Sequence, residues 1–155
     1  MNMKRSRLLV VAGLAIIAVG ATALAATPAD IVKERQALMK GLGKNMTAIK
    51  DFVAGTGGET AADIARRATE MNESATKIVG LFPAGTGPYV AVTAALPTIW
   101  SDQAGFEAAA QRLVEETAAL IVVATGGDKA AIEAQFGNTG KNACGGCHTK
   151  YREKK

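Results

Sequence analysis

Cys144-Gly145-Gly146-Cys147-His148, a few residues from the C-terminus, constrains this chain more than any other stretch. Two thiols three residues apart, with an imidazole directly after the second, form the attachment signature of a c-type haem. On a helix, residues three and four apart share a face, so Cys147 and His148 both stand beside Cys144. The two sulfurs are placed to bond the two vinyl groups of one porphyrin, while the imidazole reaches its iron. A thioredoxin-like redox pair needs a strand-helix-strand setting, and nothing around Cys144 alternates like a strand. A structural zinc site asks for four ligands, where this chain has two Cys and one His. A disulfide across so short a loop constrains the unfolded chain little and leaves His148 without a role. The expected cofactor is therefore one haem c per chain, bound through Cys144 and Cys147, with His148 on the iron.

The N-terminus carries a different signal. Lys4, Arg5 and Arg7 precede an apolar run from Leu8 to Leu24, and Ala23-Leu24-Ala25 offers small residues where a signal peptidase reads. This predicts a leader over 1–25, cleavage after Ala25 and a periplasmic domain over 26–155; an uncleaved anchor would be barely long enough to span. Without Lys4, Arg5 and Arg7, the 18 basic and 14 acidic residues become 15 against 14. The basic character belongs to the leader, so nucleic-acid binding loses its support, and no membrane association is expected after cleavage. Large side chains are scarce, with one Trp, two Tyr and four Phe. A buried porphyrin would supply apolar volume that the side chains do not.

Periodicity predicts four helices and no strands. Helix one starts at Thr27-Pro28-Ala29-Asp30 and runs to about Phe52, with Arg35 the one charge on its apolar stripe. Gly41 and Gly43 within it suggest a close approach to the backbone. Helix two runs from Thr60 to near Gly80, and the connection from Phe82 to Trp100 is expected to cross the bundle with Leu81, Phe82 and Trp100 inward. Ser101-Asp102 caps helix three, Gly126-Gly127 stops it, and Asp128 caps helix four, which carries the haem motif. Gly137, Gly140, Gly145 and Gly146 are expected to clear space for a flat macrocycle. Such a chain reads as all-α, an antiparallel up-down-up-down four-helix bundle with covalently attached haem. Helix one then lies beside helix four, and its N-terminal half faces His148.

The residue opposite His148 decides the chemistry. At about 1.5 Å per residue, Met39 lies roughly 17 Å along helix one and Met46 about 27 Å, against about 5 to 10 Å for His148 from the same mouth. Met39 is the better match, although spacing leaves both ligation and simple packing open. Arg35, one turn nearer the mouth, is placed to pair with a haem propionate. A peroxidase-like enzyme would need a distal acid-base group, and the single histidine is already used.

The motif through Cys144-Gly145-Gly146-Cys147-His148-Thr149-Lys150-Tyr151-Arg152, the early segment Arg35-Gln36-Ala37-Leu38-Met39-Lys40, and Pro97-Thr98-Ile99-Trp100-Ser101-Asp102 together resemble the class II c-type cytochromes, which include cytochrome c prime. The resemblance implies thioethers at Cys144 and Cys147, iron ligation by His148, Met39 on the distal side, Arg35 near a propionate and Arg152 beside the iron-bound histidine. Leu38-Met39-Lys40 with Gly43-Lys44-Asn45-Met46 and Leu81-Phe82-Pro83 are most similar to the low-spin subgroup. That subgroup implies a periplasmic carrier of single electrons between redox partner proteins, with His148 and Met39 as axial ligands and no enzymatic activity. The alternative is a five-coordinate cytochrome c prime that binds nitric oxide or carbon monoxide. Either a monomer or a homodimer is compatible with the resemblance.

Overall fold

Each long helix begins where a short polar side chain can satisfy the free amides of its first turn. In α1 (Pro28–Ala54) the Thr27 hydroxyl accepts from the Asp30 amide at 3.2 Å, and the Asp30 carboxylate accepts from the Thr27 amide at 3.3 Å. Thr60 and Asp63 repeat this reciprocal box at α2 (Ala61–Ala75). Asp102 caps α4 (Gln103–Gly126) through the Gly105 amide, and Asp128 caps α5 (Lys129–Asn138) through Ala130 and Ala131. Gly55 and Gly127 end α1 and α4 at φ 72° and 78°, the left-handed region where a side chain is strained. The computed structural model describes residues 26–154, so the expected leader and its cleavage after Ala25 lie outside the described residues.

The helices form an all-α antiparallel four-helix bundle. α1 packs on α2 and α5, while α4 packs on α2 and on the C-terminal segments. Ile49, Ile64, Met71, Leu120 and Ile132 are fully buried at its centre, and each contributes at most about 1.5–3 kcal/mol relative to exposure. One polar bridge crosses this core. Asn72 donates to the Thr117 hydroxyl at 2.9 Å and to the Val114 carbonyl at 2.8 Å, which ties α2 to α4. Among the described residues no helix is long and apolar enough to cross a membrane.

Two helices differ from their periodicity. α2 stops at Ala75, and the chain passes through a 3₁₀ turn at Val79–Leu81 rather than continuing to Gly80. The Ser74 and Thr76 hydroxyls both donate to local carbonyls, of Glu70 and Glu73, a competition that weakens a helix end. The fourth rod is divided into α5, a π-helical stretch Thr139–Gly145 and α6 (Gly146–Tyr151). Glu116 on α4 holds this junction, since it accepts from Gln135 at 2.7 Å and Asn142 at 3.4 Å, beside the fully buried Thr139. In a wider turn of this kind the backbone bonds span five residues instead of four, and Cys144 itself lies within it.

The connection after Leu81 crosses to the C-terminal segment before the short α3 (Thr98–Ser101). Leu96 N–H donates to the Tyr151 carbonyl at 3.0 Å, and Glu153 N–H donates to the Ala94 carbonyl at 2.8 Å, around an isolated Ala95–Arg152 bridge. The Trp100 indole donates to the carbonyls of Phe82 and Pro83, so Phe82 and Trp100 turn inward as half-buried rings. Phe82, Phe106 and Tyr151 then stack edge to face, with ring centroids 4.8 and 5.4 Å apart. This aromatic run joins the connection, α4 and α6.

Candidate functional site

Between α1 and α6 the bundle opens into a cavity of about 640 Å³, within the roughly 300–1,000 Å³ of small-molecule and cofactor sites. α1 supplies Met39, Leu42 and Met46 to one wall; α4 supplies Phe106, Ala110 and Leu113 to the floor; the C-terminal rod supplies Cys144, Cys147 and His148 opposite α1. The six candidate cofactor and metal residues from the sequence line this one space: Arg35, Met39, Cys144, Cys147, His148 and Arg152.

The electrostatics of the C-terminal wall follow from burial. Both cysteines are unpaired, and burial pushes their thiols up in pKa, with Cys144 adding to the effect at Cys147. A thiol shifted this way is a poor redox nucleophile. Burial lowers the pKa of His148, and Arg152 lowers it further, with Nη1 3.3 Å from the His148 Nδ1. The imidazole is therefore neutral at physiological pH, the form that ligates metal.

Arg35 is 2% exposed. Its guanidinium donates to the hydroxyls of Thr86 at 3.2 Å and Thr93 at 3.3 Å and lies over the Phe82 ring at 4.6 Å. The roles of Thr86 and Thr93 are not anticipated by the sequence, because the connection that carries them has no periodicity; the only signal is a lone β-branched hydroxyl in Gly85-Thr86-Gly87. The glycines also behave differently from expectation. Among the described residues, no atom beyond the chain neighbours and the adjoining backbone of α1 comes within 4 Å of where a Cβ would stand at Gly41 or Gly43, so no other element packs closely there, and Gly43 opens onto the cavity instead. Gly140 lets α1 approach through Met46, while Gly145 sits under the Gly140 carbonyl; neither lines the cavity.

Two protonated thiols, a neutral imidazole, a buried cation with no carboxylate partner among the described residues and largely apolar walls fit an iron porphyrin with its acidic side chains. The comparisons agree. The family described as Cytochrome C′ matches residues 30–152. The cytochrome c′ of Rhodopseudomonas palustris is 30% identical over 96% of this chain and 97% of its own. Two solved structures of variants of the Alcaligenes xylosoxidans cytochrome c′ are similarly close. A nitric oxide complex has a TM-score of 0.75 at 30% identity, covering 84% of this chain and 98% of that one. A carbon monoxide complex has a TM-score of 0.74 at 29% identity, covering 83% and 98%.

These matches overturn the electron-carrier expectation, in which His148 and Met39 both ligate iron. The relatives belong to cytochrome c′, whose members are typically five-coordinate, and not to the low-spin subgroup. The physical reason the sequence misleads is that a thioether on the cavity wall packs or ligates with the same side chain, so the level of Met39 along α1 does not separate the two. With a covalent haem c at Cys144 and Cys147, and with a family match across nearly all of its described length, this chain belongs to the cytochrome c′ family.

Proposed function

We propose that this is a five-coordinate haem protein that binds nitric oxide or carbon monoxide on the face opposite His148. The observation that carries this reading is the α1 wall. It presents Met39, Leu42, Gly43 and Met46 to the cavity, with Arg35, Gln36 and Lys40 beside them and no histidine, cysteine or carboxylate, so its apolar part leaves room for a small neutral diatomic. Haem bound in this cavity would supply an iron that takes up a diatomic gas. The chain's own residues do the rest. Cys144 and Cys147 tether the group, and His148 offers its neutral imidazole from one side. Arg35 presents a buried cation to a propionate, while Ile78, Ile99, Phe106 and Leu113 exclude water from the cavity. Periplasmic location, with the leader removed after Ala25, belongs to the same proposal and rests on the leader pattern.

The absorption spectrum of the ferrous holoprotein tests it. A high-spin band that shifts at once when carbon monoxide is added is the expected result. A low-spin ferrous spectrum that carbon monoxide leaves unchanged would overturn it.

A further inference from the structure

Arg35 is a buried cation that pairs with no carboxylate among the described residues. Desolvating a charge is costly unless other groups compensate. The compensation here comes entirely from the connection between Phe82 and Trp100. Thr86 Oγ1 accepts from Nη1 and Thr93 Oγ1 accepts from Nη2, while the Phe82 and Trp100 ring centroids lie 4.6 and 5.8 Å from the guanidinium carbon. Each hydroxyl is itself fixed. Thr86 donates to the Pro83 carbonyl at 2.8 Å, and Thr93 accepts from the Ala95 amide at 3.2 Å. Thr86 is 1% exposed although Pro83, Ala84, Gly85 and Pro88 around it are exposed, so it is buried where its neighbours are not.

We propose that Thr86 and Thr93 are positioning residues that fix the Arg35 guanidinium as a positive charge in the cavity wall, and that this fixed charge raises the reduction potential of the haem. When an external one-electron reductant delivers its electron, ferric iron becomes ferrous and the centre loses one unit of positive charge. A cation held nearby in a poorly polarisable wall favours that reduced state. Salt screens a desolvated charge little, whereas an arginine released to solvent would lose most of its influence. The guanidinium has five N–H donors, so the two threonines leave donors for a carboxylate of the cofactor. The inference rests on haem occupancy and is independent of whether the iron binds gases.

The test is a redox titration of holoprotein variants at low and high ionic strength, with a thermal melt of the same samples. Thr86→Val and Thr93→Val are each expected to lower the midpoint potential, the double variant further, with the shift surviving high salt. Thr86→Ser, which keeps the hydroxyl, is expected to restore the wild-type value. If Thr86→Val fails to load haem, Thr93→Val, at a half-buried position, decides the matter alone. An unchanged potential in folded, haem-loaded Thr93→Val overturns the proposal, and so does a Thr86→Ser shift as large as that of Thr86→Val. Failure of the gas-binding reading would show separately, in the carbon monoxide spectrum of the wild-type protein.

Discussion

The two walls of the cavity are built in opposite ways. The C-terminal wall places Cys144, Cys147 and His148 within five consecutive residues, and their neighbours anchor it through the Tyr151 and Glu153 backbone bonds to the connection. The α1 wall has no such local unit: Arg35 is held by Thr86 and Thr93, fifty-one and fifty-eight residues away. Groups that must bond one macrocycle need fixed mutual spacing, which a single helical turn supplies. Groups that set access and charge need only reach the same space, and tertiary packing can bring them from anywhere.

The largest effect should come from breaking the local wall. Cys144→Ser combined with Cys147→Ser is expected to abolish covalent attachment, so that the denatured protein weighs no more than its polypeptide by mass spectrometry. Any haem that survives denaturation in this variant would place the attachment elsewhere. A fully buried position away from the cavity gives the contrast. Leu120→Ala on α4 should cost about 2–5 kcal/mol of stability through the void it leaves, read from denaturant unfolding, while the ferrous spectrum of the folded holoprotein stays the same. A spectral change there would mean that the walls are not separable from the general packing.

Met39→Ala addresses the assembled wall directly. It should leave the ferrous spectrum of the resting protein unchanged and speed carbon monoxide association, because it removes bulk from the open face without removing a ligand. Stopped-flow mixing measures the rate. Loss of a low-spin spectrum in this variant would restore Met39 as a ligand.

The same contrast explains what the sequence showed and what it hid. The caps at Thr27, Thr60, Asp102 and Asp128 and the haem motif were legible because their partners lie within four residues. The level of Met39 along α1 was legible too, since a helix has a fixed rise. Its chemical role was not, because a thioether packs and ligates with the same side chain. Thr86 and Thr93 were hidden because only the folded connection brings them to Arg35. The break at Thr139 was hidden for a similar reason: Glu116, which clamps it, lies on another helix.

The smallest effect concerns the latch that holds α6 to α4. The Asp102 carboxylate accepts from the Lys150 ammonium and, at 2.6 Å, from the Tyr151 hydroxyl, and Gly105 must lack a Cβ for the three to meet. These bonds hold the pKa of Asp102 below its ordinary value, with Lys150 the larger cause and Tyr151 next. A carboxyl that is more acidic when folded contributes stability above its unfolded pKa, about 3.9, and the contribution is lost as pH falls through the lower folded value. Lys150 is shifted up, chiefly by the same bond to Asp102, so its contribution is present below about 10.4 and is lost as pH rises through the folded value. The latch should therefore be flat across neutral pH and fail at both ends. In Asp102→Asn the acid limb of a melting-temperature profile should flatten relative to wild type, because the carboxylate that binds protons on unfolding is gone. The lysine limb should flatten as well, since its partner has lost its charge. The latch joins the local wall to the bundle without forming part of the cavity surface at Asp102, so the carbon monoxide spectrum should not change with it. An acid limb identical in the two proteins would show that other carboxylates govern acid unfolding and that the contact holds α6 by shape alone.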